Sequence, residues 1–109
     1  MSEFDDFDVE IQDERDSDPE HFNSNVAVAG VPNSITPTSA KPIQLAYIKN
    51  PNKGVNANDP NDVLYINIDG TVNYTTISRG EYIYIPGVFT TLKIDTNNDG
   101  TKYEVIVWS

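Results

Sequence analysis

The chain has 109 residues, 38% hydrophobic and 22% charged, with a net charge of −10 and no cysteine. That length holds one domain, and the missing cysteines exclude disulfides and thiolate chemistry. No apolar run approaches the ~18 residues of a membrane span, so no membrane partner is expected.

The charge is uneven. Residues 1–25 carry ten acids against Arg15 alone, and the other 84 residues are close to neutral, with seven acids and six bases. A near-neutral body lacks the clustered Lys and Arg that neutralise phosphates, so nucleic acid is not an expected partner. The acids sit too close to one end to mimic a duplex. The opening "MSEFDDF" has neither the basic nor the apolar region of a secretory leader, so synthesis in a cytoplasm is expected.

Residues 1–25 read as an acidic N-terminal arm, low in hydrophobicity and self-repelling. Within it "FDVEI" places Phe7, Val9 and Ile11 on one side of an extended chain and Asp8 and Glu10 on the other. Phe4, Phe7 and Ile11 would instead share a helical face. The strand period is the preferred reading, and Phe4, Phe7, Val9 and Ile11 are candidate partner-binding anchors, ordered by adding to a partner's sheet. Residues 26–42 contain three prolines. Pro removes a donor and pushes its predecessor to extended geometry, so an extended linker is expected, with a short strand over residues 26–31.

From Ile43 to the end the pattern is strand. "IQLAYIK" alternates Ile43, Leu45 and Tyr47 against Gln44 and Ala46, and an Asn/Pro/Gly loop follows. "VLYINI" ends at Asp69-Gly70, a hairpin signal. "TVNYTTI" returns with Val72 and Tyr74 on one face, and "SRG" turns at 78–80. "EYIYIP" sets Tyr82 and Tyr84 against Ile83 and Ile85, with a turn expected at Pro86-Gly87. "VFTTLKI", the "TNNDG" turn and "TKYEVIVW" complete six or seven strands. The expected fold is all-β: an antiparallel β-sandwich or small jelly-roll-like barrel over residues 43–109. A β body of this size buries only about 60–65% of its unfolded surface, which favours support from an oligomer or a larger assembly.

Candidate sites are few. Asp95, Asn97, Asp99, Gly100 and Thr101 match five positions of an EF-hand loop, but Ile106 stands where the bidentate Glu belongs. The segment therefore reads as a hairpin turn, with Asp95, Asn97 and Asp99 only a weak metal candidate. The single histidine, His21, lies in the acidic arm, no nucleophile elbow occurs, and the body's acids fall mostly in turns. No catalytic residue and no cofactor are expected. Tyr47, Tyr65, Tyr74, Tyr82, Tyr84, Tyr103, Phe89 and Trp108 all fall on strands. If Ile83 and Ile85 face the core, Tyr82 and Tyr84 are exposed and offer a partner large area at low entropic cost. A sugar platform is the rival use of such rings.

The turns Asp69-Gly70 and Arg79-Gly80-Glu81, the strand Gly87–Ile94 and the ending Val105–Trp108 resemble small virion proteins of tailed bacteriophages, over residues 43–109. The resemblance implies a β-sandwich that decorates the capsid or belongs to the connector or tail. The expectation is a non-enzymatic auxiliary capsid protein, found in the virion. It would be homo-oligomeric, as in a trimer, and bound to the major capsid protein or other virion proteins through the arm. A head–tail connector, a tail component and a carbohydrate-binding host-attachment module are the alternatives.

Overall fold

The computed structural model describes residues 19–70 and 74–109. Among the described residues eight strands form: β1 (Glu20–Val26), β2 (Asn33–Ile35), β3 (Ile43–Lys49), β4 (Val63–Ile68), β5 (Thr75–Ser78), β6 (Tyr82–Phe89), β7 (Leu92–Thr96) and β8 (Thr101–Trp108). A single 3-10 turn, Gly54–Asn56, interrupts the long loop before β4. The candidate anchors Phe4, Phe7, Val9 and Ile11, and Val72, lie outside the described residues.

The pairing is nested. β1 pairs with β8, β2 with β7, β3 with β6 and β4 with β5, all antiparallel. The chain therefore behaves as one long double-stranded ribbon whose tip is β4–β5. The pairs β3–β8 and β4–β7 roll that ribbon into two four-stranded sheets, ordered β1-β8-β3-β6 and β2-β7-β4-β5. This is a β-sandwich with the strand order of a jelly roll. Alternate residues of both sheets meet inside. Ile48, Leu64, Ile66, Ile94 and Val105 are fully buried, and each such side chain contributes about 1.5–3 kcal/mol on leaving water.

Several expectations are corrected. The body begins well before Ile43: β1 lies in the segment read as arm, and Val26 and Ile35, within the linker, are core residues. Prolines end strands without preventing them, so three-residue β2 fits between Pro32 and Pro37. Residues 26–31 are not a strand but the end of β1 and a turn, closed by Val31 N–H donating to the Val28 carbonyl at 3.0 Å.

Pro86-Gly87 does not turn the chain. β6 runs through it with a bulge: Ile43 faces Phe89 and Leu45 faces Pro86, so β6 holds one extra residue. β6 is an edge strand, where a missing N–H costs nothing, and Gly87 takes the positive φ of 119° that the bulge requires. The same irregularity resets β3. Ile43, Ala46 and Ile48 point inward, while Leu45 and Tyr47 point outward.

β4 and β5 pair with Ile66 opposite Thr75, a register wider than a two-residue Asp69-Gly70 turn would set. Asp69 has another task. Its Oδ1 accepts Thr90 N–H at 2.9 Å and Thr91 N–H at 3.1 Å, fixing the crossover from β6 to β7. Those two backbone donors hold its carboxyl below the usual carboxylate range. The 97–100 turn is a corner between sheets rather than a hairpin, since β7 and β8 belong to different sheets.

Candidate functional site

The outward faces of the two sheets differ in chemistry. The outer face of the β2-β7-β4-β5 sheet is mostly polar, with Ser34, Lys93, Asp95, Asn67, Thr76 and Ser78 at its outward positions beside Val63 and Tyr65. The outer face of the β1-β8-β3-β6 sheet carries a run of aromatic and apolar side chains toward β3 and β6, with polar ones toward β1.

Register places that face in rows. Trp108, Leu45 and Pro86 stand side by side on β8, β3 and β6. The next row is His21, Ile106, Tyr47 and Tyr84, and the next is Asn23, Glu104, Lys49 and Tyr82. Strict alternation on β8 puts Val105 and Val107 inside and leaves Ile106 and Trp108 half-buried outside. Ile85 is buried and Ile83 packs on the core, so Tyr82 and Tyr84 point out, 61% and 56% exposed.

Tyr47, Tyr82 and Tyr84 form one cluster. Tyr47 lies 5.0 Å from Tyr84 and 5.7 Å from Tyr82, and Tyr82 meets Tyr84 edge-on at 6.1 Å. Burial pushes the Tyr47 hydroxyl above its usual pKa, with Tyr84, Glu104 and Tyr82 adding to the shift. Its proton therefore stays on at neutral pH, and it is a hydrogen-bond donor. The rings are inclined by 39° to 85°. They make a rough, three-sided relief of the kind that packs against protein side chains, rather than a flat platform for a sugar ring.

The remaining aromatics divide cleanly. Tyr103 and Phe89 are core residues, and Tyr103 Oη accepts a hydrogen bond from Asn33 Nδ2 at 2.9 Å. Tyr65 lies half-buried on β4, and Tyr74 is exposed just before β5. Reading the sequence missed Tyr47, Leu45, Ile106 and Trp108 as members of one face. The alternation on β8 could have found the last two. The register shift that the β6 bulge imposes on β3 hid the first two.

The oxygens of the acidic corner diverge. Asp95 Oδ1 accepts Gly30 N–H and Asp99 Oδ1 accepts Ala29 N–H, each at 2.8 Å. Asn97 Oδ1 accepts Val63 N–H at 2.9 Å, on the far side of the turn. Two of them brace the 27–31 turn and one aligns β4, so they do not converge on a point. Among the described residues no group of three or more His, Asp or Glu is placed to hold a metal. Millimolar calcium is expected to leave the melting temperature unchanged. A rise of several degrees, reversed by EGTA, would contradict these assignments.

Comparison of the chain with family models, with curated proteins and with solved structures gave no match.

Proposed function

We propose that the chain is a non-enzymatic structural protein of a tailed-bacteriophage particle, an auxiliary capsid protein that binds the major capsid protein. The observation that carries this reading is the asymmetry of the sandwich: one sheet face is mostly polar, and the other presents Tyr47, Tyr82, Tyr84 and Trp108 together. Clustered exposed aromatic side chains mark interaction sites, and Tyr and Trp are the residues that dominate protein interfaces. The jelly-roll strand order is common among capsid proteins, an argument by analogy only. The acid-rich N-terminal segment adds a steering charge for a basic partner.

In this reading Tyr82 and Tyr84 are the contact anchors and β6 lies at the docking edge. Replacing both (Tyr82→Ala with Tyr84→Ala) should weaken the contact by about 2 kcal/mol or more per ring, since buried interfacial tyrosines reach that size. Both side chains are largely exposed, so the melting temperature should barely move. The test is quantitative mass spectrometry of purified particles carrying the wild-type or the double-alanine chain. Wild type is expected at a copy number comparable to that of the capsid protein, with the variant strongly depleted. Copies sufficient for only a single ring would favour the connector reading. A wild-type chain abundant in cells yet missing from particles would refute the virion role.

A further inference from the structure

The geometry points to a second copy of this chain on the free edge of β6. Two copies pair β6 with β6 antiparallel, with Ile83 on the two-fold axis, and their β1-β8-β3-β6 sheets become one continuous sheet. The pairing uses the backbone edge and does not depend on the virion reading.

The ladder to β3 decides which backbone groups of β6 are free. Asn50 N–H donates to the Glu81 carbonyl at 3.0 Å, and the register runs on as Lys49↔Tyr82, Ile48↔Ile83 and Tyr47↔Tyr84. In an antiparallel ladder, residues that bond a given neighbour alternate with residues that do not. Glu81, Ile83 and Ile85 therefore turn their carbonyls toward β3. Tyr82 and Tyr84 turn their N–H and C=O to the open side, because β6 is the last strand of its sheet. Pro86, next in that series, has no N–H, and the Gly87 bulge follows. The pairable stretch is residues 82–85.

This edge lacks the usual defences of charge, proline and short length. β2 has three residues between Pro32 and Pro37, and β5 has four, three of them Thr or Ser. β1 is polar, and its Asn25 carbonyl is taken by Asn33 Nδ2 at 2.8 Å. β6 has eight residues and no charge among them. Beside its open half lies a groove of about 450 Å³, lined by Thr75, Ile77, Tyr82 and Ile83 among others. Ile83 packs on the core yet is only partly buried.

The stretch is also self-complementary. A strand pairs with its own copy about a two-fold only when antiparallel. Side chains of one face must meet the same face, so the axis passes through a residue. With the axis at Ile83, the N–H and C=O of Tyr82 meet those of the other copy's Tyr84, and the reverse, so both tyrosines are satisfied. An axis at Tyr84 would set Tyr82 against Pro86 and lose a donor. The two Ile83 side chains meet over the grooves, and the tyrosine clusters of both copies merge on one face, where cross-strand aromatic pairs are favourable. Residues 26–109 hold seven acids and six bases, so two bodies approach with little repulsion. The acidic N-terminal segment joins the fold at β1, the opposite edge of the same sheet.

Sedimentation velocity of the full chain should show a monomer–dimer equilibrium, with dimer dominant at on the order of 100 μM, as befits a small interface. The chain has no cysteine, so one introduced thiol reports the register. Ile83 and its copy form a pair whose Cα atoms lie about 4.5 Å apart, within disulfide reach. Val88, on the same strand and 74% exposed, would lie about 30 Å from its copy. Under mild oxidation Ile83→Cys should cross-link at least about tenfold faster than Val88→Cys, because pairing raises the local thiol concentration. Ile83→Lys and Ile83→Glu should each be monomeric alone, since like charges meet on the axis, and should dimerise when mixed. Thermal melts check that each variant is folded, and the cysteine comparison stands if the charged variants are not. A wild-type chain that stays monomeric at several hundred micromolar, a trimer, or equal cross-linking of the two thiols would overturn the inference. Particle loading is not a readout here, so failure of this inference leaves the virion reading standing.

Discussion

Deleting residues 2–25 is expected to collapse the fold, whereas deleting residues 2–18 should leave it within a few degrees of its normal melting temperature. The longer cut removes most of β1, whose seven residues all pair with β8 from Glu20↔Val107 to Val26↔Thr101. It also removes Phe22, which packs on the core. Phe22 is partly buried, so its burial is worth less than the about 1.5–3 kcal/mol of a fully buried side chain. The ladder bonds add about 0.5–1.5 kcal/mol each, net of water. Together these rival the 5–15 kcal/mol that holds a domain of this size. Losing β1 also bares the edge of β8, whose inward side chains Tyr103, Val105 and Val107 are core residues. Circular dichroism melts of the two truncations, with light scattering to detect aggregation, make the comparison. Equal melting temperatures would mean that β1 is not part of the sandwich. The shorter deletion is also the proper probe of particle loading, because it removes Phe4, Phe7, Val9 and Ile11 and leaves all of β1 in place.

The strands from Ile43 onward were legible because period-two alternation is a local property of the backbone. β4 and β8 match their apolar runs almost residue for residue, whereas β6 runs on through the expected turn at Pro86-Gly87 to Phe89. Turn residues marked where the chain bends but not where it goes next. Of the consecutive strands, only β4 and β5 pair with each other, and every other connection carries the chain between the two sheets. An Asp-Gly or Arg-Gly signal is the same in both cases. β1 was hidden because Glu20, His21, Asn23, Ser24 and Asn25 look like the acidic, polar segment before them. Its place is set by β8, about 80 residues away in sequence. The aromatic face was half legible. Tyr82 and Tyr84 follow from simple alternation, but Tyr47 joins them only because the β3–β6 bulge turns it outward. That bulge depends on Gly87 and on β6 being an edge, and neither can be read from β3 alone.

The other large effect is expected at Asn50, at the start of the segment read from the sequence as an Asn/Pro/Gly loop. Asn50 is fully buried at the end of β3. Its Nδ2 donates to the Asp62 carbonyl at 2.9 Å and the Ile77 carbonyl at 3.0 Å, and its Oδ1 accepts Asn58 Nδ2 at 2.7 Å. Asn58 in turn bonds both the N–H and the carbonyl of Lys102 at 2.7 Å. These two amides stitch β3 and β8 of one sheet to β5 and the start of β4 in the other. Asn50→Ala leaves two buried carbonyls and part of the Asn58 amide without partners, and each orphaned group costs about 1–3 kcal/mol. A total near 3 kcal/mol would lower the melting temperature by about 12–24 °C. Asn50→Asp should do worse despite its matching shape, because a buried carboxylate would face two carbonyl oxygens where an amide now donates. Asn97→Ala, at an exposed position with bonds to Val63 N–H and the Asn61 carbonyl, should cost about 1 kcal/mol. Burial separates Asn50 from Asn97, and the loss of the donors to two carbonyls places Asn50→Asp above Asn50→Ala. Thermal melts that reverse this order, or an Asn50→Ala melt unchanged from wild type, would show that the two sheets are not joined through this amide pair.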